Sequence, residues 1–83
     1  MRNKVFRKKS NSNYLYIFFE ETNHAFMAEK FFKGAGLKGK LVSAPSFLTA
    51  GCGLAWRGPV ETEEEAKGLI LENDISHEKI MIH

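Results

Sequence analysis

The sequence predicts an α+β fold in one small domain, and three observations carry that prediction. Two segments place apolar residues at helical spacing, four short runs are alternating or rich in aromatic and β-branched residues, and turn residues separate them. Their order along the chain is strand, helix, strand, strand, helix, strand. The 83 residues suffice for a single modest core, which seven phenylalanines help to fill.

The first strand is Tyr14-Leu15-Tyr16-Ile17-Phe18-Phe19, which follows a polar stretch and stops at Glu20-Glu21. Such an unbroken apolar run reads as a central strand, with Leu15, Ile17 and Phe19 on one face and Tyr14, Tyr16 and Phe18 on the other. Thr22 or Asn23 is placed to cap the first helix, whose apolar positions Ala25, Ala28, Phe31, Phe32 and Ala35 lead to Gly34 and Gly36 at its end. Lys40-Leu41-Val42-Ser43-Ala44 forms a second strand that stops before Pro45, because proline has no N–H for a ladder. A loop then runs to Gly53.

Leu54-Ala55-Trp56-Arg57 alternates as a third strand and ends at Gly58-Pro59. Thr62-Glu63-Glu64-Glu65 has the spacing of a capping box, and Ala66, Leu69 and Ile70 form the apolar stripe of a second helix ending near Asn73. Glu78-Lys79-Ile80-Met81-Ile82-His83 is the last strand, with Ile80 and Ile82 on the core side. Two right-handed crossovers then give a ferredoxin-like βαββαβ arrangement, a four-stranded antiparallel sheet with both helices on one face. The opposite face carries Tyr14, Tyr16 and Phe18, an aromatic strip suited to contact with a partner.

The formal charge is +2 and the pI about 8.8, with the basic residues concentrated in Arg2, Lys4, Arg7, Lys8 and Lys9. Residues 1–13 therefore read as a disordered basic extension, and residues 14–83 as the single domain. The extension has no apolar signal core, and Tyr14 to Phe19 is too short to span a bilayer, so the expectation is a cytoplasmic protein with no membrane partner.

Cys52 is the only cysteine, which excludes an internal disulfide and fits a reducing compartment. It sits in Ala50-Gly51-Cys52-Gly53-Leu54-Ala55-Trp56-Arg57. Gly51 and Gly53 remove shielding side chains and permit a backbone turn that gathers N–H donors on an anion, and Arg57 is a cation nearby in sequence. A thiolate is favoured by such surroundings. The alternative is a cysteine that serves as a small buried hydrophobe.

Two stretches together carry a resemblance to a known family. They are Thr22, His24, Ala25, Ala28 and Glu29 in the first helix, and Pro45, Cys52, Gly53, Leu54, Ala55 and Arg57 around the thiol. From Tyr14 to its end the chain resembles the small bacterial selenium/sulfur carrier-like proteins. The resemblance implies that Cys52 accepts sulfur or selenium as a persulfide or perselenide from a desulfurase or selenium-donor protein, and hands it to an acceptor protein. Gly51, Gly53, Arg57 and His24 are then the expected binding residues around it. The expected role is that of a carrier or interaction protein without independent catalysis, with no cofactor beyond the covalently carried atom.

Two departures from the family pattern are the basic extension and Gly51, where a small hydroxyl residue is as common. One cysteine and the scattered His24, His77 and His83 show no metal-ligand spacing, and Gly34-Ala35-Gly36 ends a helix where a phosphate loop would begin one. Two readings from other classes remain. The aromatic sheet face could make a homodimer, with Cys52 inert. Alternatively Leu15-Tyr16-Ile17-Phe18 resembles the first-strand motif of RRM domains, with Tyr16 and Trp56 as base-stacking residues, although the second RRM motif is missing and nucleic acid is the less expected partner.

Overall fold

The computed structural model describes residues 13–44 and 53–83. The elements are β1 (Leu15–Phe18), α1 (Thr22–Gly34), β2 (Lys40–Ser43), β3 (Leu54–Gly58), α2 (Glu63–Glu72) and β4 (Lys79–Ile82), with a 3-10 turn at Val60–Thr62 leading into α2. The four strands form one sheet in the order β2-β3-β1-β4, with every neighbouring pair antiparallel. This is the α+β ferredoxin-like arrangement expected from the element order. The extension at residues 1–12 and the loop at 45–52 lie outside the described residues.

The central position of β1 follows from its composition, since a strand flanked on both sides and covered on both faces must be apolar at every position. All four of its residues are buried. Leu15 and Ile17, with Phe19 beyond the strand, join Ala25, Ala28 and Phe32 of α1 and Ala66 and Ile70 of α2 in the main core. Trp56 of β3 lies in this core at 1 % exposure, with Phe32 edge-on to it at 4.7 Å between ring centroids. Of the expected stripes, Phe31 and Leu69 are half-buried at the core margin, Ala35 is an exposed cap residue, and Ile82 is exposed while Ile80 packs inward.

Helix ends differ from their sequence signals at the N-termini and agree with them at a C-terminus. The residue preceding α1 in the cap position is Glu21, and neither Thr22 nor Asn23 caps it, because both are already within the helix. The capping box of α2 is not formed. The 3-10 turn draws the Thr62 hydroxyl back to donate to the Pro59 carbonyl at 2.7 Å, so it is not turned toward the Glu65 amide. At the other end of α1, Gly36 N–H donates to Lys33 O at 3.0 Å and Leu37 N–H to Phe32 O at 2.9 Å, the paired bonds of a Schellman motif. Asp74 repeats this geometry after α2 with φ +57, and Ile75 N–H donates to Ile70 O at 3.0 Å.

The side of the sheet away from the helices holds a second cluster of Tyr16, Phe18 and Ala55, bordered by Val42, Ala44 and Met81. Tyr16 is 9 % exposed and Phe18 fully buried, whereas Tyr14 keeps 43 %. This corrects the expectation of an open aromatic strip. The residues of the flanking strands lie alongside the two rings, and Lys79 sets its Nζ 5.3 Å from the Phe18 centroid, so neither ring is an exposed contact surface for a dimer.

Trp56 leaves no space at two neighbouring positions. A Cβ added at Gly39 meets the indole and lies 2.7 Å from Arg57 O, and one at Gly58 meets the same indole and lies 2.9 Å from Lys38 O. Gly39→Ala and Gly58→Ala are each expected to lower stability by about 1–3 kcal/mol through overpacking. Urea denaturation checks this, and an unchanged midpoint for both variants contradicts the packing described.

Candidate functional site

Cys52 and Gly51 lie outside the described residues, but the chain on either side of their loop is placed. Ser43 pairs with Leu54, and Ala44 N–H donates to the Gly53 carbonyl at 2.9 Å. The two ends of the segment 45–52 are therefore held side by side by the β2–β3 pair. Gly53 has φ +78, a left-handed conformation that costs a residue with a Cβ about 1 kcal/mol or more. The freedom expected of a glycine beside the cysteine is thus used at this position.

Register shows what shares this end of the sheet. Phe18, the last residue of β1, is opposite Ala55 on one side and Lys79 on the other. Gly53 at the entry to β3, the start of α1 and the first residue of β4 thus belong to the same end. The first turn of α1 has no side-chain cap and no acidic residue, though Glu20 and Glu21 precede it. Lys79 brings a cation to this end, which sequence reading missed because only the pairing of β4 with β1 places it there.

His24, in the first turn of α1, accepts a hydrogen bond at Nδ1 from the Ser76 backbone N–H at 2.9 Å. Its Nε2 is 3.9 Å from Glu21 Oε1. An accepting Nδ1 carries no proton, so the neutral ring bears its proton on Nε2, toward the carboxylate. The imidazole therefore ties the start of α1 to the connection between α2 and β4, across 52 positions of sequence. No periodicity signals such a contact.

Arg57 and Gly53 are not brought together. Three residues of strand lie between them, a span of roughly 13 Å at the rise of an extended chain. Arg57 stacks its guanidinium 4.7 Å above the Tyr14 ring at the other end of the sheet. Trp56 and Tyr16 lie on opposite faces, the first within the helix-side core, so the pair expected to stack bases in an RRM-like reading does not form. Glu29 is half-buried on α1, His77 is exposed before β4, and the His83 main chain pairs with Tyr14. Among the described residues no group of three His, Cys, Asp or Glu is placed to hold a metal ion, and no helix is long and apolar enough to cross a membrane.

These features define a small α+β domain whose one cysteine immediately precedes the left-handed Gly53 at the mouth of a strand pair. Residues 14–82 match the family described as "Putative Se/S carrier protein-like", and the chain belongs to that family. Comparison with curated proteins and with solved structures gave no match.

His24→Ala removes the acceptor for Ser76 and is expected to cost about 1 kcal/mol. Hydrogen exchange checks it. The Ser76 amide should lose protection while the amides of β1 keep theirs, and unchanged exchange at Ser76 contradicts the tie.

Proposed function

We propose that this protein carries a sulfur or selenium atom on Cys52 and passes it to an acceptor protein. The observation that carries this reading is the family match over residues 14–82, in a chain whose only cysteine lies inside the matched stretch. The Cys52 thiolate attacks the outer sulfur of a donor persulfide, such as that of a cysteine desulfurase. A new S–S bond forms to Cys52, the donor S–S bond breaks, and the donor leaves as a thiolate. A nucleophile on the acceptor then attacks the outer atom of the Cys52 persulfide, and the Cys52 thiolate is released unchanged. A selenium donor reacts in the same way with a perselenide, and neither step needs an external oxidant or a second thiol.

The surroundings of the loop support this reading. Gly51 and Gly53 put no side chain beside the sulfur, which favours close approach by two successive protein partners. Lys79 and the uncapped first turn of α1 add positive potential at the Gly53 end of the sheet, which favours a thiolate. His24 acts at one remove, by holding the start of α1 against Ser76. Arg57, stacked on Tyr14, is left out of the transfer chemistry.

Intact mass spectrometry after incubation with a cysteine desulfurase and cysteine, and separately with a selenium donor, tests the proposal. The wild-type chain should gain one chalcogen atom that added thiol removes, and Cys52→Ser should gain none while unfolding at the same temperature. A chain that gains nothing from either donor, or a Cys52→Ser variant that gains as much as wild type, refutes the carrier role. Lys79→Gln is expected to slow alkylation of Cys52 by iodoacetamide at neutral pH roughly twofold, with Arg57→Gln leaving the rate unchanged. The reverse pattern would return the thiolate-stabilising role to Arg57.

A further inference from the structure

We propose that Lys38, Lys40 and Arg57 form a binding site for a phosphoryl group carried by a small molecule, at the end of the sheet opposite Gly53. A cavity of about 300 Å³ is lined there by Tyr14, Lys38, Lys40 and Arg57 together with Gly39 and Gly58. No acidic residue contributes to its wall. Lys40 and Arg57 are directly opposite one another on adjacent strands, an arrangement in which like charges repel and destabilise the pair.

No side-chain carboxylate relieves that repulsion. All ten acidic residues of the chain are among those described, where Glu21 pairs with His24 and Glu63 with Lys67. No ion pair is formed by Lys38, Lys40 or Arg57 among the described residues. Arg57 sets its guanidinium carbon 4.7 Å from the Tyr14 ring centroid, a cation–π contact that holds the group without using its N–H donors. An anion in the cavity would meet the guanidinium fork of Arg57 and the ammonium groups of Lys38 and Lys40. A lone carboxylate neutralises one such charge, whereas a phosphate dianion with its several acceptor oxygens suits a group of three. The site goes beyond the carrier reading and does not depend on Cys52.

Free phosphate and a nucleotide share this chemistry, and a titration of the full 83-residue chain followed by amide NMR separates them. The probes are inorganic phosphate, pyrophosphate, AMP, acetate and a short single-stranded oligonucleotide, each at about 0.15 M salt, where diffuse attraction is screened. Saturable shifts confined to residues 38–40 and 57–58, with a dissociation constant of about 1 mM or tighter for a phosphorylated probe and none for acetate, are expected. Equal affinity for phosphate and AMP assigns the site to the phosphoryl group alone, and tighter AMP binding assigns it to a nucleotide.

Lys40→Gln should weaken binding about fivefold or more. The double variant Lys38→Gln/Lys40→Gln should abolish it while the stack of Arg57 on Tyr14 persists. Retained affinity in the folded double variant overturns the proposal, as do shifts spread over the whole surface or acetate binding as well as phosphate. Oligonucleotide binding much tighter than any small probe overturns it in favour of a nucleic-acid surface.

Discussion

A tryptophan buried on a four-stranded sheet needs more room than its neighbours can give by shifting, and much of this fold follows from providing that room. The Trp56 indole occupies the space that side chains at Gly39 and Gly58 would fill, on the edge strand's approach and at its own strand's end. Phe32 closes over it edge-on from α1. The other fully buried residues of α1 are the small Ala25 and Ala28, so the helix lies close to the sheet where Phe32, its fully buried ring, meets the indole. Burying a side chain of this size is worth about 3–5 kcal/mol by the cost of its removal, a large share of the stability of so short a chain. The same packing that fixes α1 fixes the place of His24 in its first turn, and hence the contact with Ser76.

The other face of the sheet is organised differently, with charge at both margins of a small apolar centre. Tyr16, Phe18 and Ala55 are enclosed, and each margin sets a cation over an aromatic ring, Arg57 on Tyr14 and Lys79 on Phe18. The long aliphatic stems of these residues cover apolar surface while their charged ends stay at the edge. The two ends of the sheet therefore differ in kind. One holds the mouth of the cysteine-bearing segment, and the other holds three cations around a cavity.

Periodicity made the elements legible, because a helix face and a strand face repeat at spacings that the residue order carries directly. The inward positions Leu15, Ile17, Ala25, Ala28, Ala66 and Ile80 could each be read in this way. What could not be read depends on which strand lies beside which, and in what register. Arg57 is five positions from Cys52 in the chain, yet the strand carries it away to Tyr14. Lys79 is far from the cysteine in sequence, yet its pairing with Phe18 brings it to the Gly53 end. The burial of Tyr16 and Phe18 escaped for the same reason, since alternation tells which face a ring occupies and says nothing of what flanks it. At the helix starts the local signals were present but were overruled. The 3-10 turn before α2 took the Thr62 hydroxyl for Pro59, and Glu21 fell where a hydroxyl cap was expected.

The bond between Ala44 and Gly53 has an evolutionary consequence. With the two ends of the segment 45–52 fastened to each other by the sheet, the scaffold does not depend on how many residues run between them. The entropy of closing such a loop grows only with the logarithm of its length, so even a doubling adds about 0.6 kcal/mol. A lineage can therefore lengthen, shorten or rewrite the stretch leading to the thiol, and so exchange one partner for another, at almost no expense to the domain that bears it.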